Sequence, residues 1–296
     1  MKRLIYGLSA FVICFSLFSF KSLASTKRDT LVNNGFKIKT IIVDAGHGNR
    51  RPEGGRYSPG AEGSYSFERN VTLAIAQKLQ KAIEKEIDGV RVVMTRTTPD
   101  DVPFQTRSDI ANQNKGDLFI SIHCNALPNR TVREVVGHRK GKKIYRTVSV
   151  PDRSGRGVLM LVYDTKRTAP QVEALMENVE IGDGKDDEKA AKEPDDPITT
   201  IMINQLKNKY RKQSIHLADL LNNEFIDEGR KSEGLREQVL FVLDHTAMPS
   251  VLVETGYINN PQDEDYLNSE DGQNEIVNAI VRGIKTYKKE AEQTAD

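Results

Sequence analysis

Side chains that can bind a metal ion or exchange a proton follow three short apolar segments of the chain. In chain order these are His47, a few residues after Ile41–Val43; His123, directly after Leu118–Ile122; and Glu254, directly after Val251–Val253. Short continuous apolar runs are typical of strands that are buried on both faces. Open parallel sheets bind their ligands at the edge formed by the carboxyl ends of the strands. The sequence therefore predicts that two imidazoles and a carboxylate meet at one edge of a sheet.

A second carboxylate reaches the same edge from a helix. Glu68 begins a segment whose apolar residues recur with a period near 3.6, and it precedes Val71 and Ile75 by three and seven residues, so it lies on the apolar face. Two neutral imidazoles and one carboxylate with an open fourth position form a catalytic zinc site. A further carboxylate that does not bind the ion can move a proton from water to a leaving nitrogen. The residue types therefore indicate hydrolytic zinc chemistry.

Each of these residues also has a purely structural interpretation. A histidine at the end of a strand is usually held by hydrogen bonds without any metal, and Glu68 is also explained as an acid that stabilises the first turn of a helix. Glu254 is harder to explain in this way, because a buried carboxylate without a partner is costly. Cys124 alternates away from His123 along the predicted strand and is expected to pack in the core. The remaining histidines, interpreted as structural or surface residues, are His138, His216 and His245.

Composition and charge narrow the class of protein. The chain has 296 residues, of which 38% are hydrophobic and 29% are charged, as in globular proteins that bury a core. A formal net charge of +1 gives no general attraction to nucleic acid or to an anionic membrane. Two cysteines are too few for a disulfide scaffold or for a multi-cysteine metal site. We expect a globular protein that has no nucleic-acid partner.

Strand-like and helix-like segments alternate along most of the chain. The predicted helices span residues 67–83, 104–114, 214–228 and 275–288, and the predicted strands span residues 41–43, 90–94, 118–122, 239–243 and 251–253. Alternation of this kind is typical of an α/β fold in which helices flank a twisted, mostly parallel sheet. We therefore predict a single α/β catalytic domain over residues 37–290.

The middle of the chain interrupts this alternation, and residues 129–212 are interpreted as an insertion into the domain. Residues 133–165 have the pattern of strands and turns. The basic patch at residues 138–146 is either a solvated hairpin face or a contact for an anionic polymer or partner. Pro170 predicts that a short helix begins near residue 169. The acidic residues 183–196 include few bulky apolar side chains and are expected to form a solvated linker.

The first 24 residues have the pattern of a secretory signal peptide. Lys2 and Arg3 precede an apolar run over residues 4–20, and the small residues around Leu23 place cleavage after Ala24. An uncleaved membrane anchor is the alternative, although the run is barely long enough to cross a bilayer. After cleavage the chain would keep one cysteine, no disulfide and no stable membrane insertion. We expect an exported protein, with the periplasm favoured over secretion or the cell wall.

Several motifs together resemble one family of enzymes. They are Ile42–Gly48 (IVDAGHG), Phe67–Asn70 (FERN), Ser121–Ala126 (SIHCNA) and Val251–Asn260 (VLVETGYINN), with Thr95–Arg96, Arg107 and Ala111–Asn112 between them. In this order they resemble the zinc-dependent N-acetylmuramoyl-L-alanine amidases of the bacterial cell-wall amidase type 3 family. The resemblance covers about residues 37–127 and 214–288, and it implies the fold predicted above.

The resemblance also implies a role for each of the four residues. His47, Glu68 and His123 would bind the zinc ion, and Glu254 would be the catalytic acid and base. The implied reaction is hydrolysis of the amide between N-acetylmuramic acid and the L-alanine of the stem peptide in peptidoglycan, during cell-wall turnover or separation of daughter cells. The alternatives are a zinc peptidase that cuts within the stem peptide and a non-catalytic wall-binding or activator protein.

Some relatives in this family carry an inserted helix that covers the zinc ion until an activator protein displaces it. By analogy, residues 169–182 are a candidate for such an autoinhibitory helix. They carry Glu173, Glu177 and Glu180, of which Glu177 is the preferred candidate for the fourth zinc position. A helix that only covers the surface of the insertion is the alternative.

Overall fold

The computed structural model of the protein describes residues 37–51, 53–164, 169–178 and 197–293. Its strands are β1 (Thr40–Ala45), β2 (Arg91–Met94), β3 (Leu118–Asn125), β4 (Arg130–Arg139), β5 (Lys142–Val150), β6 (Val158–Tyr163), β7 (Ser232–Gln238) and β8 (Ser250–Tyr257). Its helices are α1 (Glu68–Glu86), α2 (Phe104–Gln113), α3 (Ala169–Asn178), α4 (Pro197–Asp227), α5 (Phe241–Asp244), α6 (Pro261–Asn268) and α7 (Glu270–Gln293). None of the described helices is both long and apolar enough to cross a membrane.

Six of the strands form one sheet in the order β2-β1-β3-β8-β6-β7, whereas β4 and β5 form a separate hairpin. Strand β1 pairs in parallel with β2 and β3, and β3 pairs in parallel with β8. Strand β6 runs antiparallel to β8 but parallel to β7. The carboxyl ends of β1, β3 and β8 therefore lie at one edge, together with the start of β6. This mostly parallel sheet, flanked by helices, confirms the predicted α/β fold.

The sheet buries apolar side chains on both of its faces. Ile41 and Val43 belong to the larger core, which α1, α4 and α7 cover, whereas Ile42 between them belongs to a second core beneath α2 and α5. Adjacent residues of a strand point to opposite faces, so a strand that is covered on both faces must be apolar throughout. A helix needs only one apolar stripe, as in α7, where Ile276 and Ile280 are buried one turn apart.

Strand β6 differs from the sequence prediction, which placed it inside an insertion. The apolar run Val158–Tyr163 is fully buried and lies between β8 and β7 in the main sheet. Helix α4, predicted for residues 214–228, begins at Pro197. A continuous apolar run is buried on both faces only inside a sheet that is covered on both sides. Because Val158–Tyr163 is such a run and belongs to the main sheet, residues 129–212 do not form one inserted unit. Two segments interrupt the alternation of strands and helices: the hairpin over residues 130–150 and the segment between β6 and α4.

The strand predicted for residues 239–243 is wrong. Phe241–Asp244 forms the short helix α5, and the nearby strand is β7 at Ser232–Gln238. A run of four or five apolar residues does not distinguish a strand from a buried helical turn. Strand β7 lies at the edge of the sheet, and its side chains are half-buried or exposed, so it needs no apolar run.

Other predictions for the middle of the chain agree with the structure where it is described. Strands β4 and β5 account for the strands and turns expected after residue 133, and α3 begins at Ala169, as Pro170 indicates. The expected signal peptide at residues 1–24 and the acidic residues 183–196 lie outside the described residues.

Candidate metal centre

His47, Glu68 and His123 come together at the carboxyl edge of the sheet. The Glu68 Oε1 atom lies 3.1 Å from His47 Nε2 and 3.0 Å from His123 Nδ1. One donor atom from each side chain lies within 4.8 Å of the other two, which is close enough for all three to bind one metal ion. Among the residues that the structure describes, this is the one such group of three or more His, Cys, Asp or Glu side chains.

His47 occupies a strained turn directly after β1. Its backbone φ of 61° lies in the left-handed region, which a residue with a side chain rarely adopts. The ring presents Nε2 to Glu68, while Nδ1 lies 2.7 Å from the hydroxyl oxygen of Ser58. A partner on the second ring nitrogen sets the orientation and the tautomer of an imidazole. Ser58 is thus a positioning residue for His47.

Two glycines allow the side chains of the cluster to approach so closely. A Cβ atom on Gly46 would lie 2.4 Å from His123 Nε2, well inside van der Waals contact. Gly60 has a φ of 75°, and a Cβ atom there would lie 2.7 Å from Glu68 Oε2 and 2.9 Å from the His47 ring. A larger residue at either position would displace an imidazole or the carboxylate.

Buried arginines hold the turn that carries His47. Arg107 donates from Nη1 to the carbonyl oxygen of Ala45 and from Nη2 to that of His47, at 2.6 and 2.8 Å. Arg96 donates from Nη2 to the carbonyl oxygen of Gly46 at 2.9 Å. A planar guanidinium can satisfy several acceptors at fixed angles. The three consecutive carbonyl groups are therefore fixed by two side chains, one from the loop after β2 and one from α2.

Asp44 balances the charge of these arginines inside the protein. Its Oδ1 atom accepts a hydrogen bond of 2.7 Å from Arg107, and its Oδ2 atom accepts one of 2.6 Å from Ser121. Burial alone would raise the pKa of Asp44, but the Arg107 guanidinium and hydroxyl donors outweigh burial and lower the pKa to about 2. Burial and the nearby Arg107 lower the pKa of Arg96 to about 10, so Arg96 stays charged at neutral pH.

Glu68 reaches the cluster as the first residue of α1. Its Oε2 atom accepts a hydrogen bond of 2.7 Å from the Ala61 amide, and its Oε1 atom accepts one of 3.0 Å from the Cys124 amide. Burial would raise the pKa of Glu68, but hydrogen bonds and charge interactions with His123 and His47 outweigh it and hold the pKa well below its usual range. The carboxyl group is therefore ionised at neutral pH, as a metal ligand must be.

A second glutamate, Glu264 in α6, holds the loop that leads to Glu68. Its carboxylate oxygens accept hydrogen bonds of 2.8 to 3.0 Å from the amides of Ser64, Tyr65 and Ser66. Burial acts to raise the pKa of Glu264, but these donors outweigh it and lower the pKa. Glu264 therefore fixes the loop as a permanently charged acceptor at neutral pH.

Glu254 lies beside the cluster on the neighbouring strand. In the parallel pairing of β3 and β8 it is opposite His123. Its Oε2 atom is shielded from solvent and has no hydrogen-bond partner among the described residues. Burial, followed by the negative charge of Glu68, raises the pKa of Glu254 to about 8. A carboxyl group of this kind can hold or release a proton near neutral pH.

The arrangement fits a divalent cation. Two imidazoles and one carboxylate match the protein ligands of a mononuclear zinc site with an open position. The Glu254 Oε2 atom has no hydrogen-bond partner among the described residues, and Glu254 is near enough to Glu68 for that negative charge to raise its pKa. Two acids in one shielded site call for a positive charge. The His47 and His123 side chains are 18% and 16% exposed, so a ligand can approach the cluster from solvent.

The other reactive side chains do not join the cluster. Cys124 is buried in the larger core, which confirms the prediction for this residue. Burial, with the charge of Glu68, raises the pKa of its thiol well above the usual value, so Cys124 is not an activated nucleophile. The remaining histidines are exposed or half-exposed, as expected; they are His138, His216 and His245.

Helix α3 packs against α2 and α4. Glu173 lines a cavity there together with Asn112 and His245. The Asn112 side chain also donates to the backbone of His245, a few residues before the amino end of β8, so this cavity lies toward the edge opposite the metal cluster. Glu173 is therefore not placed as a metal ligand. The Glu177 side chain and Glu180 lie outside the described residues.

Sequence reasoning missed the residues that position the cluster. Arg96 and Arg107 entered only as members of a family motif, although an arginine at a core-facing helical position is a signal of a buried ion pair. Ser58 and Glu264 were not singled out. A serine in a glycine-rich loop has no distinguishing pattern, and Glu264 lies 200 residues from the Ser64 amide that it binds.

Fold and site together define a single-domain α/β protein with a His–Glu–His cluster suited to one metal ion. The family follows from comparison with known proteins. A family model described as N-acetylmuramoyl-L-alanine amidase matches residues 41–286, and the chain belongs to this family. The match includes all four residues of the candidate site.

Two curated relatives show how far the similarity extends. The chain is 28% identical over 250 residues to the N-acetylmuramoyl-L-alanine amidase AmiC of Escherichia coli O6:H1, a match that covers 83% of this chain and 52% of AmiC. It is 28% identical over 258 residues to LytH of Staphylococcus epidermidis, a probable cell wall amidase, covering 87% of this chain and 61% of LytH. The chain thus spans about half of AmiC and about three fifths of LytH.

Solved structures show the same fold. The CwlD amidase from Clostridioides difficile, determined in complex with the GerS lipoprotein, superposes with a TM-score of 0.56 at 20% sequence identity. The match covers 84% of this chain and 98% of CwlD.

Proposed function

We propose that this protein is a zinc-dependent N-acetylmuramoyl-L-alanine amidase that hydrolyses peptidoglycan. The bond that it would cut is the amide between the lactyl group of N-acetylmuramic acid and the amino group of the L-alanine of the stem peptide. Family membership supports this class of reaction. The observation that carries the proposal is the meeting of His47, Glu68 and His123 at one point, next to the shielded carboxylate oxygen of Glu254.

Three atoms of the chain would hold the zinc ion: His47 Nε2, Glu68 Oε1 and His123 Nδ1. When bound, zinc polarises a carbonyl group and lowers the pKa of water. For His47 to bind through Nε2, its Nδ1 atom must carry the ring proton and donate it to Ser58 Oγ, 2.7 Å away. Arg107 and Arg96 would hold the backbone of the ligand turn in place through the carbonyl oxygens of His47 and Gly46.

Glu254 would carry the proton during the reaction. As a carboxylate it takes a proton from the attacking water, and it then gives that proton to the alanine nitrogen as the carbon–nitrogen bond breaks. The products are a lactyl carboxylate on the glycan strand and a stem peptide with a free amino terminus. Because Glu254 Oε2 makes no hydrogen bond to any described residue, no described protein group competes for the proton at this atom.

Zinc content and mass spectrometry of digested peptidoglycan test the proposal together. The wild-type protein is expected to bind one zinc ion per chain and to release intact stem peptides that begin with alanine. Glu254→Gln should abolish release while zinc stays bound. The matched control Glu86→Gln, at an exposed glutamate that pairs with Lys285, should change neither.

Two outcomes would refute the proposal in different ways. Stem peptides that are cut internally would identify a zinc peptidase. A protein that binds zinc and peptidoglycan but releases nothing, both as the wild type and after deletion of residues 169–183, would identify a non-catalytic wall-binding or activator protein.

We also propose that residues 1–24 direct export and are then removed, so that the enzyme acts in the periplasm during cell-wall turnover or separation of daughter cells. The basic and apolar pattern of these residues supports export. Sequencing the amino terminus of the protein from cell fractions is the test. We expect a chain that begins at Ser25 in the periplasmic fraction, whereas an intact terminus in the membrane fraction would indicate an anchor.

We also propose that residues 169–182 restrict access to the cluster until an activator protein binds. Because Glu173 in α3 lines a cavity toward the opposite edge, this role would fall to the later part of the segment, which carries Glu177 and Glu180. The support is the analogy with relatives that carry such a helix, and CwlD shows that an amidase with this fold can form a complex with another protein. Deleting residues 169–183 should raise activity on purified peptidoglycan, and Glu177→Gln should do so if that side chain takes the fourth position. A folded deletion variant with equal or lower activity would contradict this role.

A further inference from the structure

The hairpin formed by β4 and β5 stands apart from the main sheet. Its strands pair with each other through nine residue pairs, from Arg130 opposite Val150 to Arg139 opposite Lys142. All of its residues from 130 to 150 are exposed except four that are half-buried. An arm of this length that buries so little of itself adds little to the stability of the fold, because burial of apolar surface is the main stabilising term.

The hairpin concentrates positive charge. Residues 130–150 contain seven Lys and Arg side chains and one Glu, a net charge of +6 in a chain whose total is +1, so the rest of the chain carries −5. The basic side chains are Arg130, Arg133, Arg139, Lys140, Lys142, Lys143 and Arg146. Like charges so close together repel each other within the screening length of about 8 Å, and a polyanion relieves that repulsion.

One face of the hairpin places apolar groups among these cations. Tyr145 lies opposite Val135, and the two side chains are 47% and 45% exposed. The Arg133 guanidinium lies 4.8 Å from the centre of the Tyr145 ring, and Lys143 is on the same face because it is two residues from Tyr145. An aromatic ring flanked by cations suits a polymer that carries both sugar rings and carboxylates.

The base of the hairpin is fixed at the edge that carries the candidate metal centre. Strand β3, which carries His123, leads into the hairpin, and β6, which follows it, re-enters the sheet opposite Glu254. The Asn259 side chain donates from Nδ2 to the carbonyl oxygens of Leu127 and Asp152, at 2.9 and 3.1 Å. Both ends of the hairpin are thereby tied to the end of β8, next to the cluster.

We infer that the hairpin binds the carboxylate-bearing peptidoglycan strand beside the amide that is cut. This inference rests on the proposed function, which makes a glycan with peptide side chains the substrate. The basic side chains pair with the carboxylates of the stem peptides, and Tyr145 packs against a sugar ring. Binding at this arm keeps the enzyme on the insoluble polymer between successive cleavages.

Cosedimentation with purified peptidoglycan, freed of other attached polymers, tests the inference in the Glu254→Gln background, which cannot digest the polymer. The variant K140Q/K142Q/K143Q/R146Q removes four positive charges from the hairpin. The control K81Q/K85Q/K212Q/K289Q removes four from exposed positions on helices. Individual exposed ion pairs are weak, so we expect the four hairpin changes together to lower affinity about tenfold. The control should lower it by no more than about twofold, through long-range charge alone.

Two further measurements identify the chemical group that is bound. Amidating the carboxyl groups of the peptidoglycan should weaken binding of the parent protein as much as the four hairpin substitutions do, and should have little further effect on the substituted protein. Tyr145→Ala should weaken binding by a factor that persists at high salt, because packing on a sugar ring is not screened.

Activity separates failure of this inference from failure of the proposed function. In the active enzyme, the hairpin variant should hydrolyse a small soluble muramoyl peptide at the wild-type rate but digest intact peptidoglycan more slowly. Equal binding by the parent and the hairpin variant, or equal losses in the two four-charge variants, would overturn the inference. The inference would also be overturned if the hairpin variant binds peptidoglycan normally but no longer binds a protein partner that the wild type binds. If neither the wild type nor the variant lacking residues 169–183 cleaves either substrate, the proposed function fails, while the cosedimentation result still stands.

Discussion

Replacing Arg107 by methionine removes the group that ties Asp44 to the turn at His47. Arg107 is 1% exposed, and its Nη1 atom lies 2.7 Å from Asp44 Oδ1. Removing one partner of a buried ion pair leaves the other charge uncompensated, which destabilises proteins by roughly 3–5 kcal/mol. Asp101, 3.3 Å from Arg107, keeps a second partner in Arg51 and adds little to this cost. We expect the free energy of unfolding to fall by about 3–5 kcal/mol in R107M.

The pH dependence of the free energy of unfolding distinguishes the loss of the Arg107–Asp44 ion pair from a loss of packing. The pKa of Asp44 is about 2 in the folded protein and 3.8 ordinarily, so its ionisation stabilises the fold by roughly 2 kcal/mol above pH 4, and this contribution is lost as the pH falls toward 2. Without Arg107, burial raises the pKa of Asp44 above its ordinary value, and acid protonates and neutralises the buried group. The difference in stability between R107M and the wild type should therefore shrink as the pH falls from about 7 to about 4.

Urea unfolding followed by circular dichroism measures these effects, with a chelator present so that metal binding does not contribute. The control is D44N/R107M, which should be more stable than R107M because no charge is left uncompensated. Zinc affinity, titrated separately, should fall about 10–100-fold in R107M, since the His47 carbonyl oxygen loses its donor. A stability within about 1 kcal/mol of the wild type, or a difference that does not change with pH, would refute this reasoning.

Three further predictions concern the cluster and its supports. Chelation should abolish hydrolysis and lower Tm, and added zinc should restore hydrolysis and Tm. In a thermal scan, the Tm of His47→Ala should change neither with the chelator nor with zinc. Ser58→Ala should weaken zinc binding about 10–100-fold in competition with a chromogenic chelator, and Ser149→Ala on the exposed hairpin should not. Glu264→Gln should lower the free energy of unfolding by about 1–3 kcal/mol and speed amide hydrogen exchange at residues 63–66, and unchanged exchange there would contradict its role in holding the loop.

Much of the fold follows from apolar patterns that are local in the chain. The run Ile41–Val43 and the run Leu118–Ile122 are strands because both faces of the sheet are covered, and each residue of such a strand is buried. The same rule identifies Val158–Tyr163 as a buried strand, although the segments around it do not alternate regularly between strand and helix. The strand prediction for residues 239–243 is wrong because a short apolar run is compatible with both a strand and a helical turn. Strand β7 carries no apolar run, since one edge strand can be stabilised by its partner alone.

The supports of the metal cluster depend on contacts between distant parts of the chain. Arg107 reaches the His47 carbonyl oxygen across 60 residues, and Glu264 binds the Ser64 amide across 200. Neither contact leaves a periodic trace in the sequence, because each side chain meets its partner only after helices α2 and α6 have packed. Sequence patterns therefore identified the three side chains that could bind a metal ion but not the groups that orient them.

The order of residues alone was enough to place two imidazoles and two acids at the ends of strands and at the first turn of a helix. Strand and helix periodicities are properties of neighbouring residues, so they can be read along the chain. Packing decided which ring nitrogens face Glu68, which arginines hold the turn and which oxygen of Glu254 lacks a partner. Those outcomes depend on distances and burial between segments far apart in the chain, and the charge and pKa of each group follow from them.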